Sequence, residues 1–134
     1  MKAMMRYTAA AVVAAACIAG GLAACFSEHV APETSNLDLV AICANSVPIP
    51  SNVVIIKNFV FSPSTITVPH GQDVTWVNCE PTPGLAHTAT SDAGSWRSGL
   101  LPPLTSHTRT FAQAGSFPYH CEPHPGMLGT VVVQ

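Results

Sequence analysis

The chain predicts an all-β fold, a sandwich or a barrel, on three observations. From Val53 onward, short runs rich in β-branched and aromatic residues recur: VVIIKNF, TITV, DVTWVN, HTATS, HTRTFA, FPYHC and GTVVV. Clusters of Pro, Gly, Asn, Asp and Ser separate them, the punctuation of strands joined by turns. No run sustains the spacing of an amphipathic helix. The 134 residues leave room for one domain.

The first 24 residues, MKAMMRYTAAAVVAAACIAGGLAA, stand apart from that pattern: Lys2 and Arg6 precede an apolar stretch from Thr8 to Ala19, and small residues lead to Cys25. This order of charged, apolar and small residues is that of an export signal, and the apolar run falls short of the ~20 residues a membrane span needs. Its end, Leu22-Ala23-Ala24-Cys25, resembles the lipobox of bacterial lipoproteins. That likeness implies a signal peptide over 1–24, lipid on Cys25 and retention at a bacterial membrane, periplasmic or cell-surface. Residues 25–36 are polar and turn-rich and read as a flexible tether, leaving 37–134 as the folded domain.

Within the domain, Leu37 to Ala44 reads as a strand or as one short helix. Period-two alternation is clearest in Thr65–Val68 and Asp73–Asn78, where Val74, Trp76 and Asn78 share one face and Thr75 and Val77 the other. Pro69-His70-Gly71-Gln72 reads as a hairpin turn joining those two strands. Most of the 12 prolines sit in loops, in pairs at Pro81 and Pro83, Pro102 and Pro103, Pro123 and Pro125. There they stiffen the connections rather than break strands, and three such loops could meet at one end of a Greek-key sandwich.

Charge excludes one class of partner. Beyond residue 24 only Lys57, Arg97 and Arg109 oppose seven acidic residues, a formal charge of −4. Nothing basic is left to grip phosphates, so no nucleic-acid partner is expected, whereas a mildly acidic face suits a basic protein. Of the five cysteines, Cys17 leaves with the signal and Cys25 takes lipid, so Cys43, Cys79 and Cys121 remain in an oxidising compartment. Cys43 precedes the first strong strand and Cys79 ends another; together they could staple the N-terminal segment to the sandwich. Cys121 is left over for other chemistry.

Cys121 belongs to Tyr119–Met127, YHCEPHPGM, in which Cys121, His124 and Met127 are spaced by threes. That spacing suits a tight loop rather than a helical face. A zinc site would want four good N, S or O donors, and a thioether is a poor zinc ligand but a good one for copper. Two imidazoles, one thiolate and a weak thioether make a trigonal site with a long axial bond. The missing imidazole is best supplied by His87, 34 positions before Cys121 and just after the loop Pro81–Ala86. The other histidines read as bystanders: His29 in the tether, His70 in a turn, His107 on a strand, and His120 turned away from Cys121 by strand alternation, toward solvent or a surface pair. Trp76 and Trp96 read as packing rather than electron relays.

At this point the chain resembles a known family, the cupredoxins, small blue copper proteins of the plastocyanin and amicyanin kind. The resemblance covers about Val53 to Gln134 and rests on FVFSPSTITVPHGQDVTWVN, AHTATS, SGLLPP and FPYHCEPHPGMLGTVVV. Its Cys-x-x-His-x-x-Met spacing is the short ligand loop of amicyanins. The resemblance implies a Greek-key β-sandwich that holds one copper ion, cycling between Cu(I) and Cu(II). His87, Cys121 and His124 would be equatorial ligands and Met127 axial. The backbone N–H of Thr88, where the family often has Asn, would donate to the Cys121 sulfur. The interval from Asn78 to His87 is longer than the family's.

By the same likeness, His124 would reach the surface among Leu85, Leu100, Leu101, Pro102, Pro103, Pro125 and Gly126. Redox protein partners would dock there transiently, through a small interface. The implied role is electron transfer by a monomer rather than catalysis, since a copper oxidase or nitrite reductase needs a second histidine cluster or domain. The alternatives are periplasmic copper storage or delivery, with a more exposed and exchangeable ion, and a metal-free sandwich for protein binding.

Overall fold

The computed structural model describes residues 38–81 and 83–134, so the expected signal, Cys25 and the tether lie outside the described residues. The ambiguous segment is a helix, α1 (Leu39–Cys43), opened by Asp38, whose side chain accepts from the Ala41 N–H at 3.0 Å. Five residues are too few to hold a helix alone. Two ties hold it: Ile42 packs in a small apolar cluster with Val53, Val77 and Cys79, and Cys43 is disulfide-bonded to Cys79. The staple expected between the two cysteines is therefore present.

Eight strands follow: β1 (Val53–Lys57), β2 (Val60–Ser62), β3 (Thr65–Val68), β4 (Asp73–Asn78), β5 (Thr90–Ser91), β6 (Ser106–Thr110), β7 (Gly115–His120) and β8 (Leu128–Val133). They form two four-stranded sheets, β2-β1-β4-β6 and β3-β8-β7-β5. The pairs β1/β4 and β3/β8 are parallel and the rest antiparallel, so the fold is an all-β sandwich, as expected. Between the sheets lie Val54, Ile56, Phe61, Ile66, Val74, Trp76, Trp96, Phe111, Tyr119 and Val131. Both tryptophans are thus core residues.

Strand β4 follows its alternation. Val74 and Trp76 enter the main core, and Val77 faces the cluster beneath α1. Tyr119, paired with Gly129 across β7 and β8, lies so close to it that a Cβ at position 129 would overlap the phenol ring. Burial pushes the Tyr119 hydroxyl up to about 12, so the ring stays neutral.

Two expectations need correction. Residues 69–72 do not close a hairpin, because β3 pairs with β8 in one sheet and β4 with β1 and β6 in the other. The turn instead crosses between sheets, held by His70 N–H to the Gln134 carbonyl (2.9 Å) and Gly71 N–H to the Phe111 carbonyl (2.8 Å), with Gly71 at φ 79°. Turn chemistry fixes a reversal but not the strand that receives the returning chain. The run VVIIKNF, in turn, hides a real hairpin. Lys57 pairs with Val60 across a two-residue turn in which Asn58 and Phe59 have φ of 54° and 60°. Asn tolerates that left-handed geometry, but Phe rarely does. Only Phe61 of β2 points inward, too short a pattern to read in advance.

Candidate metal centre

The C-terminal part of the site is almost self-assembling. Strand alternation along β7 buries Tyr119 and turns His120 outward, where its Nδ1 pairs with Asp92 at 2.5 Å, the surface pair expected. Past the strand end, Cys121 is fully buried. The next six residues fold by two successive turns, His124 N–H to the Cys121 carbonyl (3.2 Å) and Met127 N–H to the His124 carbonyl (2.9 Å). Cys121 N–H closes the loop onto the Met127 carbonyl at 3.1 Å. Met127 is buried in the main core as β8 begins.

His87 arrives from a different direction. It is 0% exposed and forms an isolated antiparallel bridge with Leu101, with N–H to carbonyl distances of 3.1 and 2.8 Å. The loop before it is organised by Asn78 at the end of β4. The Asn78 amide donates to the carbonyls of Leu85 (3.0 Å) and Leu101 (2.7 Å), and its Oδ1 accepts from the Glu80 N–H (2.9 Å). Thr88 then ties this loop to the C-terminal one. Its N–H donates to Cys121 Sγ at 3.3 Å, as anticipated, and its hydroxyl accepts from the Glu122 N–H at 2.8 Å.

The three nearest donor atoms form a closed triangle. Cys121 Sγ lies 3.6 Å from both His87 Nδ1 and His124 Nδ1, and the two nitrogens are 3.1 Å apart. The centre of such a triangle is about 2.0 Å from each corner, the length of a metal–imidazole bond and slightly short of a metal–thiolate bond. Burial, reinforced by the neighbouring His124 ring, pushes the His87 pKa below the ordinary histidine value, against the pull of the Glu80 carboxylate. A neutral imidazole is the form that binds metal. Two imidazoles and a thiolate, with a thioether buried at the end of the same loop, are the soft, mixed donor set that suits copper.

Two residues at the site were not anticipated. Glu80 places Oε1 3.3 Å from His87 Nε2, and Phe59 sets its ring edge-on to His87 and His124, at centroid distances of 5.6 and 5.0 Å. Glu80 left one sequence signal, being the sole charged residue between Asp73 and Asp92. Phe59 left none, because its approach depends on a hairpin that the sequence pattern conceals. Of the apolar residues expected at the surface, Leu85 and Leu100 are exposed, while Leu101 is buried by its pairing with His87.

A two-sheet sandwich carrying a His, Cys, His triangle with two buried members at one loop cluster defines a small mononuclear copper protein. A profile of copper binding proteins of the plastocyanin/azurin family matches residues 50–134. Plastocyanin of Scenedesmus fuscus is 38% identical over 88 residues, 56% of this chain and 87% of that protein. Amicyanin of Paracoccus denitrificans is 33% identical over 84 residues, 61% of this chain and 64% of that protein. Among solved structures, a reduced Cu(I) amicyanin variant at pH 4 superposes with a TM-score of 0.57 at 30% identity, covering 68% of this chain and 89% of that one. A purple cupredoxin from Nitrosopumilus maritimus gives 0.56 at 26% identity, covering 61% and 98%. The chain belongs to the plastocyanin/azurin family of copper-binding proteins. It is a cupredoxin, an electron-transfer protein with a single copper ion as its cofactor.

Proposed function

We propose that His87, Cys121 and His124 are the equatorial ligands of the copper ion and Met127 its axial ligand. The observation that carries this reading is the triangle of donor atoms, whose centre lies at bonding distance from both imidazole nitrogens and slightly inside that distance from the sulfur. Copper supplies a one-electron couple between its cuprous and cupric states when bound. The protein's part is to keep the donors still during that change. Cys121 and His87 are fully buried, and both donor loops are pinned by short backbone bonds. The Thr88 N–H stabilises negative charge on the Cys121 sulfur.

His124 is the partly exposed member of the set, and the exposed Leu85 and Leu100 lie on loops that lead to the site. Electrons would pass through this imidazole to and from redox protein partners that dock weakly and briefly. In this reading the chain is a monomer and not an enzyme. It is exported with a signal over 1–24, anchored to a bacterial membrane through lipid on Cys25 and held off it by the tether 25–36, ahead of the domain 37–134. The burial of two donors favours this carrier role over storage or delivery, which would want an exchangeable ion.

The test is spectroscopic. Protein loaded with cupric ion is expected to show an intense thiolate-to-copper visible band that bleaches on reduction and is missing in Cys121→Ala. A colourless loaded protein, or a variant with the same band, removes the ligand assignment. Rapid loss of copper to a chelator in both oxidation states would favour delivery instead.

A further inference from the structure

Strand β6 forms one edge of its sheet, with Ser106, Thr108 and Thr110 exposed and His107 and Arg109 half-buried on the alternate face. A guanidinium on the inward side of a sandwich is out of place unless something receives its charge. Among the described residues nothing does: the ion pairs are His87–Glu80, Arg97–Glu122 and His120–Asp92. Asp73, across the strand pair, accepts from the Thr110 hydroxyl on the other face of β6. Arg109 is held instead by its flat faces, with Cζ 5.5 Å from the centre of the Trp96 ring and 5.4 Å from that of Phe111. Such contacts fix the plane of the guanidinium without using its N–H groups. Its Nε–H is buried and unbonded, as is the Nε1–H of Trp96 beneath it. Buried donors without acceptors are rare and costly, so two on adjoining side chains call for an acceptor.

A cavity of about 210 Å³ opens beside this guanidinium, lined by Arg109, Thr110, Phe111, Ala112, Gln113 and Phe117. Neither the Ala112 nor the Gln113 N–H bonds to a backbone carbonyl among the described residues. We propose that the cavity binds a carboxylate, with the Arg109 fork as its main donor pair and these two N–H groups beside it. The parallel N–H groups of a guanidinium match the two oxygens of a carboxylate. Burial, and then the Arg109 charge, push the His107 pKa below the ordinary histidine value, so His107 adds no second charge at neutral pH. One positive charge suits a monoanion better than a phosphate dianion, and the Phe111 and Phe117 rings are walls for carbon rather than for a hydrated ion. The cavity is smaller than the ~300 Å³ at which drug-sized molecules begin to lodge, so it takes a small organic acid or the end of an acidic side chain. Gln113 precedes β7 and Cys121 follows it, so the length of a six-residue strand, roughly 20 Å, separates this site from the copper loop. The proposal therefore rests on nothing assumed about the metal ligands.

The experiment titrates the cuprous protein, which is diamagnetic, with sodium acetate and separately with sodium chloride at constant pH and ionic strength, followed by nitrogen-15 NMR. Acetate should give saturable shifts at the Arg109 Nε–H, the Trp96 Nε1–H and the Ala112 and Gln113 amides, and chloride none. Arg109→Lys keeps the charge but loses the fork, so the Kd read at Trp96 and the two amides should rise about tenfold. Arg109→Leu, an apolar side chain on an inward-facing position, should abolish the shifts. The urea midpoint and the visible band of the cupric form show whether each variant is folded. A blocked tripeptide with one central glutamate separates the two sources: tighter binding than acetate at the same groups supports an acidic side chain of a protein, and weaker binding supports a small organic acid.

Shifts that grow linearly with acetate, that chloride reproduces, or that persist in Arg109→Leu overturn the proposal. So does an unchanged affinity in Arg109→Lys, which decides alone should Arg109→Leu fail to fold.

Discussion

The two loops that meet at the copper site are built on opposite plans. Cys121–Met127 brings its donors together within seven residues, using two tight turns and the backbone bond between Cys121 and Met127. The loop from Asn78 to His87 delivers one donor and is held by side chains rather than by its own backbone: by Asn78 at its start and, from outside the loop, by Leu101, Phe59, Thr88 and the disulfide to Cys43. A short loop closed by its own backbone spends little conformational entropy, whereas a long one must be fixed by side chains. The difference implies that substitutions in the first loop act on the metal and those in the second on the fold as well.

The largest test of that contrast is Asn78→Ala. Asn78 is fully buried and its side chain makes three hydrogen bonds, two to loop carbonyls and one to the Glu80 N–H. Truncation leaves buried partners unsatisfied, at about 4 kcal/mol in total. Because domains of this size have only about 5–15 kcal/mol of stability, the urea midpoint of the copper-free protein should collapse. A drop below ~1 kcal/mol would mean that the loop does not depend on this side chain. Next in size is removal of the Cys43–Cys79 bridge by paired alanine substitutions. A disulfide spanning 36 positions stabilises by about 3.8 kcal/mol in the chain-entropy account. Copper-free protein should lose that amount while the loaded protein keeps its visible band, since the bridge touches no donor.

The same contrast explains what was legible in the sequence. Cys121, His124 and Met127 could be nominated because the chemistry proposed for their loop is written within seven neighbouring residues. Strand β4 was legible for a similar reason: Val74 and Trp76 alternate with Val77 within six positions. His87 could be picked out as a candidate, but not what holds it there, since Asn78 and Glu80 act across the fold. The hairpin expected at 69–72 failed on the same ground. Pro69 to Gln72 specify a turn locally, but the pairing of β3 with β8 is decided by residues some sixty positions away. Phe59 lay beyond reach because its left-handed backbone is imposed by a two-residue turn and not by its own preference.

The smallest effect is also the sharpest comparison, since it uses one substitution in both loops. A Cβ at Gly84 would overlap the Pro81 carbonyl oxygen and come within 3.1 Å of the Glu80 side chain. Backbone cannot yield as a flexible side chain does, so Gly84→Ala should cost about 2 kcal/mol, the scale of an overpacked site. The displaced segment carries Glu80, so the visible band of the loaded variant should shift as well. A Cβ at Gly126 meets nothing within 4 Å, and its backbone is not in the left-handed region. Gly126→Ala should therefore change stability by less than ~0.5 kcal/mol, the range of an unremarkable surface substitution, and leave the band where it is. Equal costs at the two positions would mean that the short loop is held by more than its own backbone bonds, and the division between the loops would fail.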